Sequence, residues 1–348
     1  MARIAAAAVK KKPNSVKAAL NIKRSATIYK AAVPKLTKRF MGKELAQLEL
    51  RMGVYEKAIV KAAKLGTLAD VNAWLAVVSD DAKIGKMQRA VRKLVKESEA
   101  FMRQWTKTNM PKAYNSGVVL SKKMLKQSGL KLGKIARTNL HGSATNFAIE
   151  QMVGDMATGV GSISQKLNGA YRKTHVVNVA RQTIENVANE AVANRFVKGT
   201  SSRDVEKRMF NNLRKSFTNS KGELKLVRVI GPSGKPRNYT LKNYTRMVAR
   251  TRTREAQVQG TKNAMIELGQ DFVQISDHAT ESEICKPYEG MIYSISGSGE
   301  LNNPLFDGAL DGETEPPYHP NCLHNIGPYI PEDDEVIVDP TGTYGGES

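Results

Sequence analysis

Only two cysteines, Cys285 and Cys322, occur in 348 residues. A disulfide scaffold needs more, so synthesis in a reducing, cytosolic compartment is expected. Aromatics make up 6% of the chain, too few to interleave with basic residues as a stacking platform for single strands. No apolar run approaches the roughly 18 residues of a membrane span, so no membrane partner is expected. The stretch Ala5–Val9 is too short for the apolar core of a secretory leader, and Lys10-Lys11-Lys12 follows it. One sign of charge is missing from each end. The first 43 residues contain no Asp or Glu, and no Lys or Arg follows Lys286.

What is present is charge in two blocks of opposite sign. Residues 1–250 hold 50 Lys and Arg against 15 Asp and Glu, while residues 251–348 hold 4 against 18, for a formal net charge of +21. So large a basic excess suits a polyanion, most simply nucleic acid. The densest basic groups supply Lys10, Lys11, Lys12, Lys23, Arg24, Lys35, Lys38, Arg39, Lys122, Lys123, Lys126, Lys131, Lys134 and Arg137. Such charges bind phosphate by counterion release without reading bases. No zinc finger, basic zipper or other sequence-reading element accompanies them.

The patterning is helical over most of the chain. Val91, Leu94, Val95, Phe101, Met102 and Trp105 keep helical spacing, with Arg92, Lys93 and Lys96 on the other face. Asn109-Met110-Pro111 is expected to end that helix. Glycines 129, 133, 142 and 159 suggest broken helices or a joint over 115–170. A strong helix is expected over 171–198 with Gly199 as its cap, then a shorter one capped by Ser201 and running to Arg214. Leu224–Ile230 and Pro236–Leu241 flank a Gly/Pro turn as a hairpin. Helix returns from Leu241 to Leu268, Gly269 ends it, and short strands and loops follow Asp271. The expected class is mainly α: a basic helical N-terminal part, then a helical region with a β-hairpin and a small irregular β/loop Cys-His module. The expected organisation is a basic arm over 1–43, a basic helical region over 44–165, a helical domain over 166–270 with its hairpin near 224–241, a Cys/His module over 271–331 and an acidic tail over 332–348.

The chemistry-bearing residues crowd the last part. Cys285, His319, Cys322 and His324 are a possible Cys2His2 set, and zinc is the metal that takes thiolate and imidazole ligands in a tetrahedral shell. The prolines at 316, 317 and 320 restrict the backbone around the His-x-x-Cys step. Cys285 stands alone, however, with Ser282 where a Cys-x-x-Cys partner would fall; Asp277 and His278 are nearby substitutes. The alternative is a buried free cysteine with histidines bonded to loop carbonyls. A catalytic thiolate or metallohydrolase is disfavoured by the acidic surroundings and by the lack of an oxyanion-type glycine loop. Asp307, Asp311, Glu313 and Glu315 match no calcium loop and read as a solvated acidic loop.

An ordered series of motifs carries a resemblance. Gly234-Lys235-Pro236-Arg237-Asn238-Tyr239-Thr240-Leu241 comes first, then Tyr244-Thr245-Arg246-Met247-Val248-Ala249-Arg250-Thr251, then Val273-Gln274-Ile275-Ser276-Asp277-His278. Cys285-Lys286-Pro287-Tyr288-Glu289-Gly290-Met291-Ile292-Tyr293-Ser294-Ile295 and Pro317-Tyr318-His319-Pro320-Asn321-Cys322 complete it. The series resembles tailed-phage minor capsid proteins related to the phage Mu F-type head morphogenesis family, most clearly over 171–329. The resemblance implies a structural virion protein, not an enzyme, acting in head assembly near the portal. Portal, major capsid or scaffold protein would be its partners, beside packaged DNA, with host cytoplasm as its location during assembly. Relatives commonly show Cys-x-x-Cys before the glycine and His-Pro-x-Cys-x-Cys after it. Ser282 and His324 replace two of those thiols here. A DNA-binding accessory protein outside any particle is the competing reading.

Overall fold

The computed structural model describes residues 42–69, 71–78, 80–128, 139–193, 223–230 and 234–331, and the single positions 130, 132, 133, 135, 211, 214, 215, 217, 218 and 335; over 173–193 and at 68, 69, 71, 72, 75 and 77 only the backbone is described. The basic arm, Gly199, the Ser201 cap and the acidic tail other than Glu335 lie outside these residues. The chain forms two compact units. One takes Thr108–Ile149 and Arg250–Ser348, the other Glu44–Lys107 and Glu150–Ala249.

The second unit is a helical body. Helix α1 spans 42–62 and a 3-10 turn follows at Leu65–Ala69. Then come α2 (Val71–Val78), the first part of α3 (Asp81–Gln127) and the later part of α4 (Asn139–Ala193). Strands β1 (Val227–Ile230) and β2 (Pro236–Tyr239) pair antiparallel, and the unit closes with the first turns of α5 (Leu241–Glu267). Asp80 starts α3: its Oδ1 accepts from Ala82 N at 2.7 Å and Lys83 N at 3.3 Å, satisfying donors that the first turn leaves free. Met87, Val91, Val95, Met102 and Trp105 are buried along one stripe of α3. Trp74 stacks on Tyr171 at 6.1 Å. The Glu56 carboxylate accepts from Leu241 N and Lys242 N at 2.9 and 3.3 Å, tying the start of α5 to α1.

The first unit combines helix and sheet. Strands β3 (Phe272–Ile275), β4 (Ile292–Ser294), β5 (Phe306–Ala309) and β6 (Ile326–Pro328) form one sheet in the order β5-β4-β3-β6. β3 is antiparallel to both β4 and β6, and β4 is parallel to β5. Val273, Ile275, Tyr293, Leu310 and Ile326 pack with Leu125 of α3 and with Val258 and Met265 of α5. Gly269, at φ +65°, turns the chain from α5 into β3.

The expected helix boundaries shift at two places. Helix α3 does not end at Pro111 but runs on to Gln127. Proline removes one ladder bond, yet Met110, Ala113, Tyr114 and Leu120 stay on a buried stripe across it, and that packing outweighs the loss. The break expected over 115–170 falls between Gln127 and Asn139, but α4 then passes unbroken through Gly142 and Gly159, so the helix expected to begin at 171 begins at Asn139. Three helical glycines mark close approach. A Cβ at Gly117 of α3 would lie 2.0 Å from Gln257 O of α5, and one at Gly260 of α5 would lie 2.1 Å from Tyr114 O. In the body, a Cβ at Gly159 of α4 would lie 2.0 Å from the Tyr244 ring.

Candidate metal centre

Three loops at one end of the four-stranded sheet bring the cluster together. The first follows β3. Cys285 N and Lys286 N both donate to Ser282 O, at 3.2 and 2.9 Å. Cys285 thereby heads the short 3-10 turn Lys286–Tyr288. The second, running from that turn to β4, carries Glu289 and then Gly290 at φ +76°, whose N–H donates to Ile275 O. The third precedes β6. His319-Pro320-Asn321-Cys322 is a tight turn closed by Cys322 N donating to His319 O at 3.0 Å. Proline second and an Asn at φ +65° third are what a type II turn requires. Tyr288 and Tyr318 stack at 4.3 Å and join the first loop to the third.

The result is a line of four groups, three of them buried and the fourth, Glu289, partly so. The sulfurs of Cys285 and Cys322 lie 3.9 Å apart. Cys322 Sγ lies 3.3 Å from Nδ1 of His324, whose Nε2 lies 2.9 Å from Oε1 of Glu289. The exposures of Cys285, Cys322 and His324 are 1%, 3% and 2%. Glu289 is also a hub for the first loop, since Oε1 accepts from His278 N at 2.9 Å and Thr280 N at 3.1 Å. Ser276 Oγ accepts from Asn325 N at 2.9 Å and fixes the backbone beside His324.

The electrostatics follow from burial and these bonds. Burial pushes the Cys285 thiol up to about 11, and its neighbours Cys322 and Glu289 act in the same direction. Burial also opposes ionisation of Cys322, but bonds from the His324 ring and backbone and from the Tyr318 backbone outweigh it, leaving that thiol at about 7. His324 is held above the usual histidine range: burial disfavours its charge, but Cys322 and Glu289 outweigh burial. Cys322 and His324 thus each favour the charged form of the other.

A metal fits this donor set. Cys285, Cys322 and His324 offer two sulfurs and a ring nitrogen within 4.8 Å of one another. Two sulfurs at about 2.3 Å from a tetrahedral zinc lie about 3.8 Å apart, and a sulfur and an imidazole nitrogen about 3.5 Å. The observed 3.9 and 3.3 Å match both edges. Among the described residues, no further Cys, His, Asp or Glu joins the group.

The structure therefore brings together three of the four sequence candidates. His319 lies apart, donating from Nδ1 to Pro320 O at 2.9 Å. The substitutes also have other partners. His278 Nε2 meets Ser276 Oγ at 2.9 Å, and Asp277 Oδ1 accepts from Ala279 N at 2.8 Å. Asp311 caps its own turn through Glu313 N and Thr314 N, and Glu315 pairs with Lys262 at 2.8 Å. Glu289 was missed as part of the centre; its only signal was a carboxylate placed between a candidate ligand turn and Gly290. Of the basic set, Lys122, Lys123 and Lys126 lie on α3, the last two exposed. Lys10, Lys11, Lys12, Lys23, Arg24, Lys35, Lys38, Arg39, Lys131, Lys134 and Arg137 lie outside the described residues. No described helix is long and apolar enough to cross a membrane.

A family model described as phage minor capsid protein 2 matches residues 41–340. No curated protein matches the chain, and no solved structure does.

Proposed function

The chain belongs to the phage minor capsid protein 2 family, and on that premise we propose that it is a head component that acts in assembly near the portal. Its partners are portal, scaffold or major capsid protein, and it lies against packaged DNA without reading sequence. The family is one of structural proteins of the virion, and the match over 41–340 is the observation that carries the reading. The charge division supports the DNA contact: 50 basic residues against 15 acidic ones in the first 250 positions. Assembly takes place in the host cytoplasm, and the finished protein resides in the particle.

The Cys/His centre has a structural role in this reading. Zinc held by Cys285, Cys322 and His324 would tie the first loop to the third, its chemistry being the neutralisation of two thiolates that burial otherwise opposes. A thiol, an imidazole and a carboxylate in line also compose a nucleophile and its base. Cys322 is only 3% exposed, which favours pinning the fold over meeting a substrate.

The test is deletion of the gene from the phage, with mass spectrometry of purified particles and of assembly intermediates. The expected result is the protein in heads, and aberrant or unfilled heads without it. Normal yield of filled heads, with the protein absent from particles and intermediates, would sink the assembly role.

A further inference from the structure

We propose that the outward face of α3 is a structured binding surface for the phosphate backbone of duplex DNA. This rests on the DNA contact proposed above and assigns part of it to a face of the folded body, beyond the arm and residues 122–137. Lys86, Arg89, Lys93, Lys96, Arg103 and Lys107 are all exposed. Their spacing alternates three and four residues, with Ala100 filling the one gap. At about 100° per residue they share an arc of about 100°. The other members of that arc along 82–107 are Ala82, Gly85, Ala100 and Gln104, so no carboxylate lies within it. The opposite face holds Met87, Val91, Val95, Met102 and Trp105, all buried, which fixes the basic row toward solvent. None of the six takes part in an ion pair among the described residues.

The shape of the row selects the partner. Over Lys86–Lys107 it runs about 32 Å at 1.5 Å per residue. One turn of duplex is about 34 Å. A straight row of cations suits a regular line of anions. An inserting lipid surface would need the apolar face of α3, which is already buried. A protein partner would need an aromatic or aliphatic anchor within the face, and the arc has none. With no base-reading geometry, the contact is to phosphate and independent of sequence.

The test uses the full chain and a mixed-sequence 30-base-pair duplex, with binding measured against potassium chloride. The wild type is compared with a six-residue glutamine variant of the row and with a second variant neutralising Lys10, Lys11, Lys12, Lys23, Lys35 and Lys38. Circular dichroism checks that the row variant keeps its helix. The row variant is expected to lose about 5 units from the slope of log affinity against log salt, at about 0.9 per phosphate contact. Independently, duplex should protect wild-type Lys86, Lys93, Lys96 and Lys107 from acetylation. An unchanged slope with unprotected lysines overturns the row, while a slope lost only in the arm variant leaves the wider DNA contact standing. Equal small losses in both variants mean net charge alone and also overturn it. So does a row variant that loses binding to anionic vesicles yet keeps binding to duplex. A wild type that fails to bind duplex even at low salt removes both proposals.

Discussion

The helical body and the sheet-bearing unit treat buried polarity in opposite ways. In the body, Lys166 is half-buried over the Phe217 ring at 5.0 Å and donates to Lys225 O and Asn238 Oδ1. Burial, then the nearby Arg228 and Lys225, lower it to about 8. In the other unit, His324 is more deeply buried but lies between Cys322 and Glu289, and its pKa moves up. The difference follows from element length. The body's share of α3, from Asp81 to Lys107, can bury a long apolar stripe. Strands β4 and β6 have 3 residues each, so each adds only a few side chains to the apolar core that the sheet shares with α3 and α5. A sheet this short depends on a few polar ties, so its stability should be concentrated where the body's is spread out.

The largest expected effect tests that concentration. Cys322→Ala should cost about 3–5 kcal/mol, since it strips one member from a buried charged pair, and it should abolish zinc binding. The loss should be local, with faster hydrogen exchange across the loops around Cys285, Glu289 and His324 and an almost unchanged far-ultraviolet helix signal. If the wild type carries under half an equivalent of zinc when freshly purified and folded, the metal reading falls and the polar ties remain. A uniform loss of protection that includes α1 and α2 would break the comparison itself.

The glycine crossings come next. Gly117→Ala drives a Cβ into the Gln257 carbonyl, and backbone cannot swing away, so about 3 kcal/mol is expected. Gly159→Ala meets the Tyr244 ring instead. That ring can rotate, giving up its 2.7 Å bond to Asp155 O, for about 1–2 kcal/mol. Urea unfolding of both variants checks the order, and a costlier Gly159→Ala would mean that the Tyr244 site is the more rigid one.

These positions also mark the limit of what the chain's pattern reveals. The β1–β2 hairpin, α5 with its stop at Gly269, and the mainly helical class were legible because turn residues and periodicity are local signals. Cys322 and His324 were legible from their spacing. Pro111 and Gly159 were misread because their meaning depends on what packs against them, and no local rule separates a breaking glycine from one that admits a neighbour. The approach of Cys285 to Cys322, 37 positions on, needed the sheet order to bring their loops together. Glu289 was unreadable for the same reason, since its donors lie in loops on both sides of it in sequence. The ordered motif series nevertheless pointed to a phage minor capsid protein, the class that the family match supports.

Glu289 gives an intermediate effect. It holds Nε2 of His324, leaving Nδ1 toward the sulfurs. Glu289→Ala should weaken zinc affinity about 10–100-fold, the usual cost of removing a carboxylate behind a ligating histidine. Glu289→Gln, which still accepts a hydrogen bond, should recover most of it. Competition with a chromophoric chelator measures both, and equal affinities for wild type and alanine variant would reduce Glu289 to a loop anchor.

The smallest effect is at Lys166 and separates the two units by sign. Its folded pKa of about 8 lies below the ordinary lysine value of 10.5. Between those values the unfolded chain holds the proton more firmly, so stability at this group rises with pH across that window and is flat below it. His324 runs the other way: its pKa is raised from 6.5, so its contribution is complete below 6.5 and is lost as pH climbs through the folded value. Lys166→Met removes the penalty together with the bonds to Lys225 O and Asn238. With the residue half-exposed and its charge partly screened, the net gain near neutral pH should be about 1 kcal/mol. Chemical unfolding from pH 7 to 10.5 should show the variant's advantage shrinking steadily above pH 8. A constant advantage would mean that the lysine's packing, not its charge, sets the cost, and the body would then be no less tolerant of buried charge than the sheet unit.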